Sequence, residues 1–198
     1  MHVAVLGCGG LGGVKAAKLC RNSELRIIVL NRKPQIAEAI ASRGLILREG
    51  GRITVSHPKL AEELSADAPE LDAVILCTKS NGLRAACERL LPWLAPGGFF
   101  VTMQNGLVAL DLAEAFGMDR VVAGSVLWGA SMDVPGEYRI TASGPFVLGD
   151  PGGRRDAAHL QAAGRLLSTV FPVRVSTNIR GVLWSKLAIT SSFTSLGA

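Results

Sequence analysis

Residues 2–20 read HVAVLGCGGLGGVKAAKLC, and this stretch decides the fold. An apolar, β-rich run, HVAVL, comes first, a glycine-rich segment follows it, and VKAAKLC then has helical composition. Gly7, Gly9 and Gly12 stand in the pattern G-x-G-x-x-G between that strand and that helix. The order of strand, glycine turn and helix predicts the first βα step of a dinucleotide-binding βαβ unit.

Each glycine of the pattern has a physical task in such a turn. Gly7 permits the tight turn, Gly9 lets a pyrophosphate approach the backbone, and Gly12 lets the helix pack closely on the strand. The helix N-terminus then faces the anion. The alternative is a glycine turn that is only structural, but the position between strand and helix favours dinucleotide binding. The predicted cofactor-binding turn also includes its remaining residues, Cys8, Gly10 and Leu11.

The rest of the chain continues the alternation of strands and helices. LRIIVL at 25–30 predicts a second strand, and PQIAEAIASRG at 34–44 predicts a helix. The apolar runs at 71–78 and 97–104 are typical of strands in a parallel sheet that is covered on both faces. LILREGGRITV at 45–55 predicts an antiparallel pair outside the main sheet. We therefore predict an α/β fold with a Rossmann-type, doubly wound, mostly parallel sheet.

The sequence pattern changes after Phe116. Short strands separated by Pro/Gly turns come next, and a helix and a strand complete this part near Thr177. Asn178 is a candidate N-cap for a new helix that runs to the end of the sequence. The predicted domains are therefore a nucleotide-binding domain at 1–177 and the start of a helical domain at 178–198.

The composition limits the classes of function. The chain is 48% hydrophobic and 19% charged, with a formal net charge of +5, which suits a globular protein with a phosphate-bearing small ligand and does not require nucleic acid. The first apolar stretch has no basic leader and is interrupted by glycines, so we expect a cytoplasmic protein without a membrane anchor. No C-x-x-C pair supports a metal site or a redox motif among the four cysteines, Cys8, Cys20, Cys77 and Cys87.

The residues that end the second strand predict the type of cofactor. An enzyme that selects NAD usually has an acidic residue there, whereas this chain has Asn31, Arg32 and Lys33. A carboxylate would repel a 2′-phosphate, and a guanidinium can bind one through two parallel hydrogen bonds. We therefore predict NADP(H), with Asn31 and Arg32 among its contacts. The alternative is that the basic residues are ordinary solvated loop charges.

Two further strand ends carry polar residues. Lys79 and Asn105 follow the third and fourth predicted parallel strands, in TKS and QNG. Ligands of open α/β sheets bind outside the carboxyl ends of the strands, so both side chains are expected in the crevice of the glycine turn. There they could contact the cofactor and the substrate. The alternatives are a surface lysine at a helix start and a turn asparagine.

The closing helix carries one lysine in an otherwise uncharged run. Lys186, Thr190 and Thr194 lie at i, i+4 and i+8 and form a polar stripe along one face. A lysine that faces the cleft opposite the cofactor could donate a proton to a carbonyl oxygen as hydride reaches its carbon. The alternative is a lysine that packs its stem and extends its ammonium group to water.

Taken together, these segments resemble the ketopantoate reductase (2-dehydropantoate 2-reductase) family. The resemblance rests on GCGGLG after the first strand, Arg32 after the second, TKS, QNG, and NIRGVLWSKLA at 178–188, and it covers essentially the whole chain in order. It implies a Rossmann-type NADPH domain followed by an all-helical domain. It also implies reduction of 2-dehydropantoate to pantoate, on the way to pantothenate.

The resemblance assigns roles residue by residue. Lys186 would be the catalytic proton donor, Lys79 and Asn105 would be cleft residues with a part in catalysis, and Arg32 would contact the 2′-phosphate. Where the family commonly has two asparagines after the lysine, this chain has Thr190 and Thr194, so these are the candidate substrate-binding residues and the 2-oxo acid stays open.

The family continues beyond the point where this sequence ends, with a serine and a glutamate that help to bind substrate. We therefore expect a fragment of a longer protein that binds the cofactor with little or no turnover. Without covering helices, the apolar residues of the closing run are expected to bury themselves against another chain, as in a homodimer. These residues are Leu183, Trp184, Leu187, Ile189 and Phe193.

Two alternatives to ketopantoate reduction remain. One is a non-catalytic NADPH-binding or sensor module, for which the helical domain is not needed. The other is a reductase of a different 2-oxo acid or a related ketone.

Overall fold

The structure is a computed structural model that describes the backbone of residues 1–196 and the side chains of residues 1–192. The strands are β1 (His2–Leu6), β2 (Arg26–Leu30), β3 (Leu45–Glu49), β4 (Arg52–Ser56), β5 (Lys59–Ala61), β6 (Leu71–Leu76), β7 (Leu94–Thr102), β8 (Val121–Val126), β9 (Gly129–Val134), β10 (Glu137–Ala142), β11 (Phe146–Gly149) and β12 (Val173–Val175). The α-helices are α1 (Gly10–Leu19), α2 (Pro34–Arg43), α3 (Leu83–Leu90), α4 (Val108–Phe116), α5 (Ala158–Ser168) and α6 (Ile179–Leu196). Short 3₁₀ turns lie at Leu91–Trp93 and Met118–Arg120.

The main sheet has eight strands in the order β12-β11-β8-β7-β6-β1-β2-β5. All neighbours from β5 to β8 pair in parallel, and β11 pairs antiparallel to β8. The order β5-β2-β1-β6-β7-β8 is that of a doubly wound dinucleotide-binding sheet, with its switch point between β1 and β6. The predicted Rossmann-type α/β fold is confirmed.

Apolar side chains cover both faces of the central strands. Val3, Ala4 and Val5 of β1 have no exposed surface, and Val74 and Ile75 of β6 have none either. Alternate residues of these strands belong to different core clusters on the two faces of the sheet. The continuous apolar runs of the sequence follow from this burial on two sides.

Strand β5 was not evident from the sequence. It has three residues and pairs in parallel with β2, from Ile28 to Leu30. A run this short carries too little periodicity to predict a strand. It extends the sheet beyond β2 and brings the following residues beside the end of that strand.

A second sheet has four strands in the order β4-β3-β10-β9. The antiparallel pair predicted at 45–55 is confirmed as β3 and β4, outside the main sheet. The structure adds that β3 pairs in parallel with β10, which comes much later in the sequence. This sheet packs on α1, where Tyr138 of β10 has no exposed surface and lies against Gly13.

Helix α6 begins where the sequence predicts it. The Asn178 side-chain Oδ1 accepts a hydrogen bond from the backbone N–H of Gly181 at 3.0 Å, which confirms Asn178 as the N-cap. Ile179 and Leu183 are then buried in a small cluster with Ala109 and Ala123. The first turns of α6 therefore pack against the first turn of α4 and against β8.

This docking corrects one expectation. Leu183 was expected to be covered by another chain, but it is 3% exposed because this chain covers it. Trp184 and Ile189 are exposed, Leu187 is partly buried, and the Phe193 side chain lies outside the described residues. Within residues 1–196, no helix is long and apolar enough to cross a bilayer.

Candidate functional site

The glycine turn connects β1 to α1 at the switch point of the sheet. Gly7 has φ +92°, and a Cβ there would lie 2.8 Å from Cγ2 of Thr78, which follows β6. A Cβ on Gly12 would collide with the Gly7 carbonyl, whereas a Cβ on Gly9 would meet nothing within 4 Å. Gly7 and Gly12 are thus required by close packing. The space at Gly9 leaves room for a ligand to reach the backbone.

The second sheet supports this turn from behind. The Tyr138 hydroxyl donates a hydrogen bond to the Cys8 carbonyl at 2.9 Å, and its ring occupies the place where Gly13 would carry a side chain. Cys8 is buried, and burial raises the pKa of its thiol to about 12, so it is a packing residue. The turn is therefore fixed by a residue from a distant strand.

Arg32 lies at the carboxyl end of β2 and is exposed. Its guanidinium forms an ion pair with Glu63 at 2.7 Å, and both side chains border a cavity of about 170 Å³ next to Trp93. Asn31 is buried, and its Nδ2 donates to the Lys33 carbonyl at 3.0 Å, which fixes the loop. Glu63 follows β5, and since that strand was not predicted, neither was the position of Glu63 beside Arg32.

The loops after β6 and β7 meet beside the glycine turn. Lys79 and Asn105 are both exposed and line one cleft of about 430 Å³, which Leu11 and Lys15 of α1 border on the other side. The strand ends thus bring Lys79 and Asn105 together at the turn, as the topology rule predicts.

Gln104 holds these two loops together. Its Nε2 donates to the carbonyls of Leu76 and Thr78 at 3.0 and 2.9 Å. Its Oε1 accepts from the Thr102 hydroxyl at 2.6 Å. Gln104 was not predicted as a site residue, because only the pairing of β6 with β7 brings its partners within reach.

Lys186 lies at the same edge of the sheet, at the end of β8. Its Nζ donates to the carbonyl of Val126 at 3.1 Å, and it lines a cavity of about 600 Å³. The side chain is partly buried, and burial lowers the pKa of its ammonium group. Since β8 neighbours β7, Lys186 stands on the side of the cleft where Asn105 lies.

The candidate substrate residues lie further along α6. Thr190 is partly buried one turn beyond Lys186, while the Thr194 side chain lies outside the described residues. Ser125 also lines the Lys186 cavity, and among the described residues its buried hydroxyl has no hydrogen-bond partner. Ser125 sits inside an apolar strand, so nothing in the sequence marked it as a site residue.

The chain has relatives of known family. Residues 3–153 match the family described as ketopantoate reductase PanE/ApbA. A 2-dehydropantoate 2-reductase of Mesorhizobium japonicum is 29% identical over 222 residues, which cover 100% of this chain and 67% of that protein.

Solved structures agree with this match. A PanE/ApbA family ketopantoate reductase from Ralstonia eutropha JMP134 is 27% identical with a TM-score of 0.79, over 94% of this chain and 60% of that one. A putative ketopantoate reductase from Ralstonia solanacearum MolK2 has a TM-score of 0.82 at 22% identity, over 93% of this chain and 63% of that one, which shows a shared fold. The chain spans about two thirds of the length of these relatives or somewhat less. On this match over most of its residues and on the glycine turn it contains, the chain belongs to the ketopantoate reductase PanE/ApbA family.

Proposed function

We propose that the chain is the cofactor-binding part of an NADPH-dependent reductase that converts 2-dehydropantoate to pantoate in pantothenate biosynthesis. The observation that carries the proposal is the meeting of three features at one edge of the sheet. These are the glycine turn with open space at Gly9, the cleft with Lys79 and Asn105, and the partly buried Lys186, which lines a cavity of its own at the end of the neighbouring strand β8.

The cofactor would be held by residues on both sides of the switch point. The glycine turn and the N-terminus of α1 suit its pyrophosphate, and Arg32 at the end of β2 suits a 2′-phosphate. Lys79 and Asn105 lie on the nicotinamide side. In this cleft, bound NADPH would be the source of the hydride that the carbonyl carbon of the substrate accepts.

Lys186 supplies the proton in this proposal. As the carbonyl carbon gains hydride, its oxygen takes a proton from Nζ and becomes a hydroxyl, and the neutral lysine regains a proton from water. The lowered pKa of Lys186 makes its ammonium group a better acid near neutral pH. Thr190 and Thr194 would contact the substrate from the same helix.

The proposal extends to the setting of the protein. The formal charge of +5 and the cleft lining support a small anionic substrate over nucleic acid, and we place the protein in the cytoplasm. We assign residues 1–177 to the nucleotide-binding domain and 178–198 to the start of a helical domain.

Two measurements test the function. NADPH titrated into the 198-residue chain should bind, and NADPH oxidation with a panel of 2-oxo acids should be slow or absent for this chain and fast for a longer parent protein. Fast reduction by the 198-residue chain would contradict the need for further residues. A longer parent that binds NADPH but reduces no 2-oxo acid would favour the sensor module, and a preference for another acid would favour the alternative reductase.

A further inference from the structure

One buried cation in the cleft has no role in the proposal so far. Lys15 lies in the second turn of α1, is 1% exposed, and lines the same cleft as Lys79 and Asn105. Its Nζ lies 3.7 Å from the Cys77 Sγ and 5.3 Å from the centre of the Trp128 ring. A thiol is a weak acceptor, and a ring face offers only part of the stabilisation that water gives to an ammonium group.

Among the side chains of residues 1–192, no carboxylate pairs with this charge. Lys18, one turn later on the same helix, is paired with Glu49 at 2.7 Å and lies over the Phe171 ring at 4.0 Å. Lys15 and Lys18 thus differ in that only Lys18 has a carboxylate partner among the described residues. Burial of an ammonium group without a counter-ion is costly.

The cleft is electrostatically suited to an anion. Lys15 and Lys79 both line it, and none of the described residues around it is acidic. An anion that enters the cleft would meet two ammonium groups and the amide of Asn105. Its charge would also compensate the burial of Lys15, which the Cys77 thiol and the Trp128 ring stabilise only in part.

The position of Lys15 indicates which anion this is. Its Nζ contacts Cys77 after β6 and Trp128 after β8, on the opposite side of the switch point from Arg32 at the end of β2. In a doubly wound sheet the two halves of a dinucleotide lie on opposite sides of the switch point. If Arg32 serves the adenosine half, Lys15 lies on the side where the nicotinamide and the substrate meet.

We propose that Lys15 is the cation of a carboxylate subsite, which binds the acid group of the 2-oxo acid at the floor of the cleft. This inference rests on the proposed function, because it takes the nicotinamide half of the cleft as the reaction site. Under this proposal, the residue that recognises the substrate carboxylate lies in the nucleotide-binding domain itself. Thr190 and Thr194 then need not recognise the carboxylate.

The test compares a charged ligand with an uncharged one. The 198-residue chain, saturated with NADP⁺ so that no turnover occurs, is titrated calorimetrically with 2-oxoisovalerate and with its amide. We expect Lys15→Met to weaken binding of the acid about tenfold or more, because a hydrogen bond to a charged group is lost, and to change binding of the amide less than twofold. Lys15→Arg should restore part of the affinity for the acid.

Two controls separate this role from a structural one. Lys18→Met removes a cation from the same helix away from the cleft and should leave the affinity for the acid unchanged, since Arg21 still pairs with Glu49 at 3.4 Å. Without ligand, Lys15→Met should melt about 2 °C or more above wild type, because it removes an uncompensated buried charge.

Several results would overturn the inference. These are unchanged affinity of Lys15→Met for the acid, an equal loss of affinity for NADP⁺, and a wild-type chain that binds no acid or does not distinguish it from the amide. The proposed function fails separately. Lys15-dependent binding of the acid without NADPH oxidation by a longer parent would remove the reductase and leave the subsite. Full turnover in a longer parent that carries Lys15→Met would remove the subsite and leave the reductase.

Discussion

Arg32 is the residue on which cofactor selection depends in this proposal. Its guanidinium is exposed and already oriented by Glu63, so a 2′-phosphate needs only to displace an exposed ion pair, which contributes little stability. Arg32→Ala should weaken NADPH binding about tenfold to a hundredfold and leave NADH binding within about twofold, because only NADPH carries the phosphate. Fluorescence titration with both cofactors measures this. Lys33→Ala is the matched control for a loss of charge in the same loop, and equal losses for NADPH and NADH in Arg32→Ala would remove the NADP assignment.

The burial of Lys186 predicts how the free energy of unfolding depends on pH. Burial lowers its pKa in the folded chain below the ordinary value of 10.5, so its ammonium group reduces the free energy of unfolding at neutral pH. This penalty disappears as pH rises through the folded pKa towards 10.5, where both states lose the proton. The unfolding free energy of wild type, measured relative to Lys186→Met by urea denaturation, should therefore rise over that range. A difference that stays flat or falls with pH would contradict the burial of this charge.

Single residues could be predicted from the sequence where backbone topology alone fixes their place. Gly7, Lys79 and Asn105 lie within three residues of strand ends, and parallel strands bring their carboxyl ends to one edge. Lys15 and Ser125 were missed because they lie inside a helix and a strand, at positions that the sequence pattern assigns to packing. Their importance depends on what surrounds them, and that is decided by tertiary contacts.

At the scale of elements, the cleft depends on the junction between β6 and β7. Gln104, beside Asn105, is joined to the segment that carries Lys79 by two side-chain hydrogen bonds, to the carbonyls of Leu76 and Thr78. Gln104→Ala should lower the free energy of unfolding by about 1–2 kcal/mol, because two carbonyls that are not fully buried lose their donor, and should weaken NADPH binding by loosening both loops. Urea denaturation and NADPH titration measure the two effects.

The matched control lies next to it. Asn105→Ala removes an exposed amide that makes none of the hydrogen bonds found for the described side chains, so stability should change by less than about 0.5 kcal/mol. Any effect of that variant should appear in ligand binding alone. If Gln104→Ala is as stable as Asn105→Ala, the hydrogen bonds of Gln104 do not hold the loops.

Strands with long apolar runs could be predicted from the sequence, whereas the pairing between distant strands could not. The strands at the centre of the sheet and the antiparallel β3–β4 pair follow from local pattern. Strand β5 is too short to carry such a pattern, and the pairing of β3 with β10 joins segments far apart in sequence. The joining of the β3–β4 pair to β10, whose Tyr138 fixes the glycine turn, therefore came only from the structure.

At the scale of the whole molecule, the first turns of α6 pack on the main sheet of this chain. Its N-terminal end is capped by Asn178 and buries Ile179 and Leu183 in this chain, so the helix is anchored before it reaches Lys186. The sequence predicted the start of this helix from its cap. It could not predict the docking, since an apolar helix face is equally suited to this chain and to another one.

Beyond its docked first turns, α6 exposes two large apolar side chains, which lie on different sides of the helix. Trp184 and Ile189 are 56% and 58% exposed, and exposed apolar side chains of this size favour association. We expect the 198-residue chain to form dimers in sedimentation equilibrium, with a dimer fraction that rises with concentration. Trp184→Glu should give a monomer with the melting temperature of wild-type monomer, because a charge at an exposed position disrupts the contact without disturbing the fold. Val134→Glu is the matched control, since Val134 is 47% exposed on the second sheet, away from α6, and should leave the dimer intact. A wild-type chain that stays monomeric at high concentration would mean that these exposed side chains do not pair two copies of the chain.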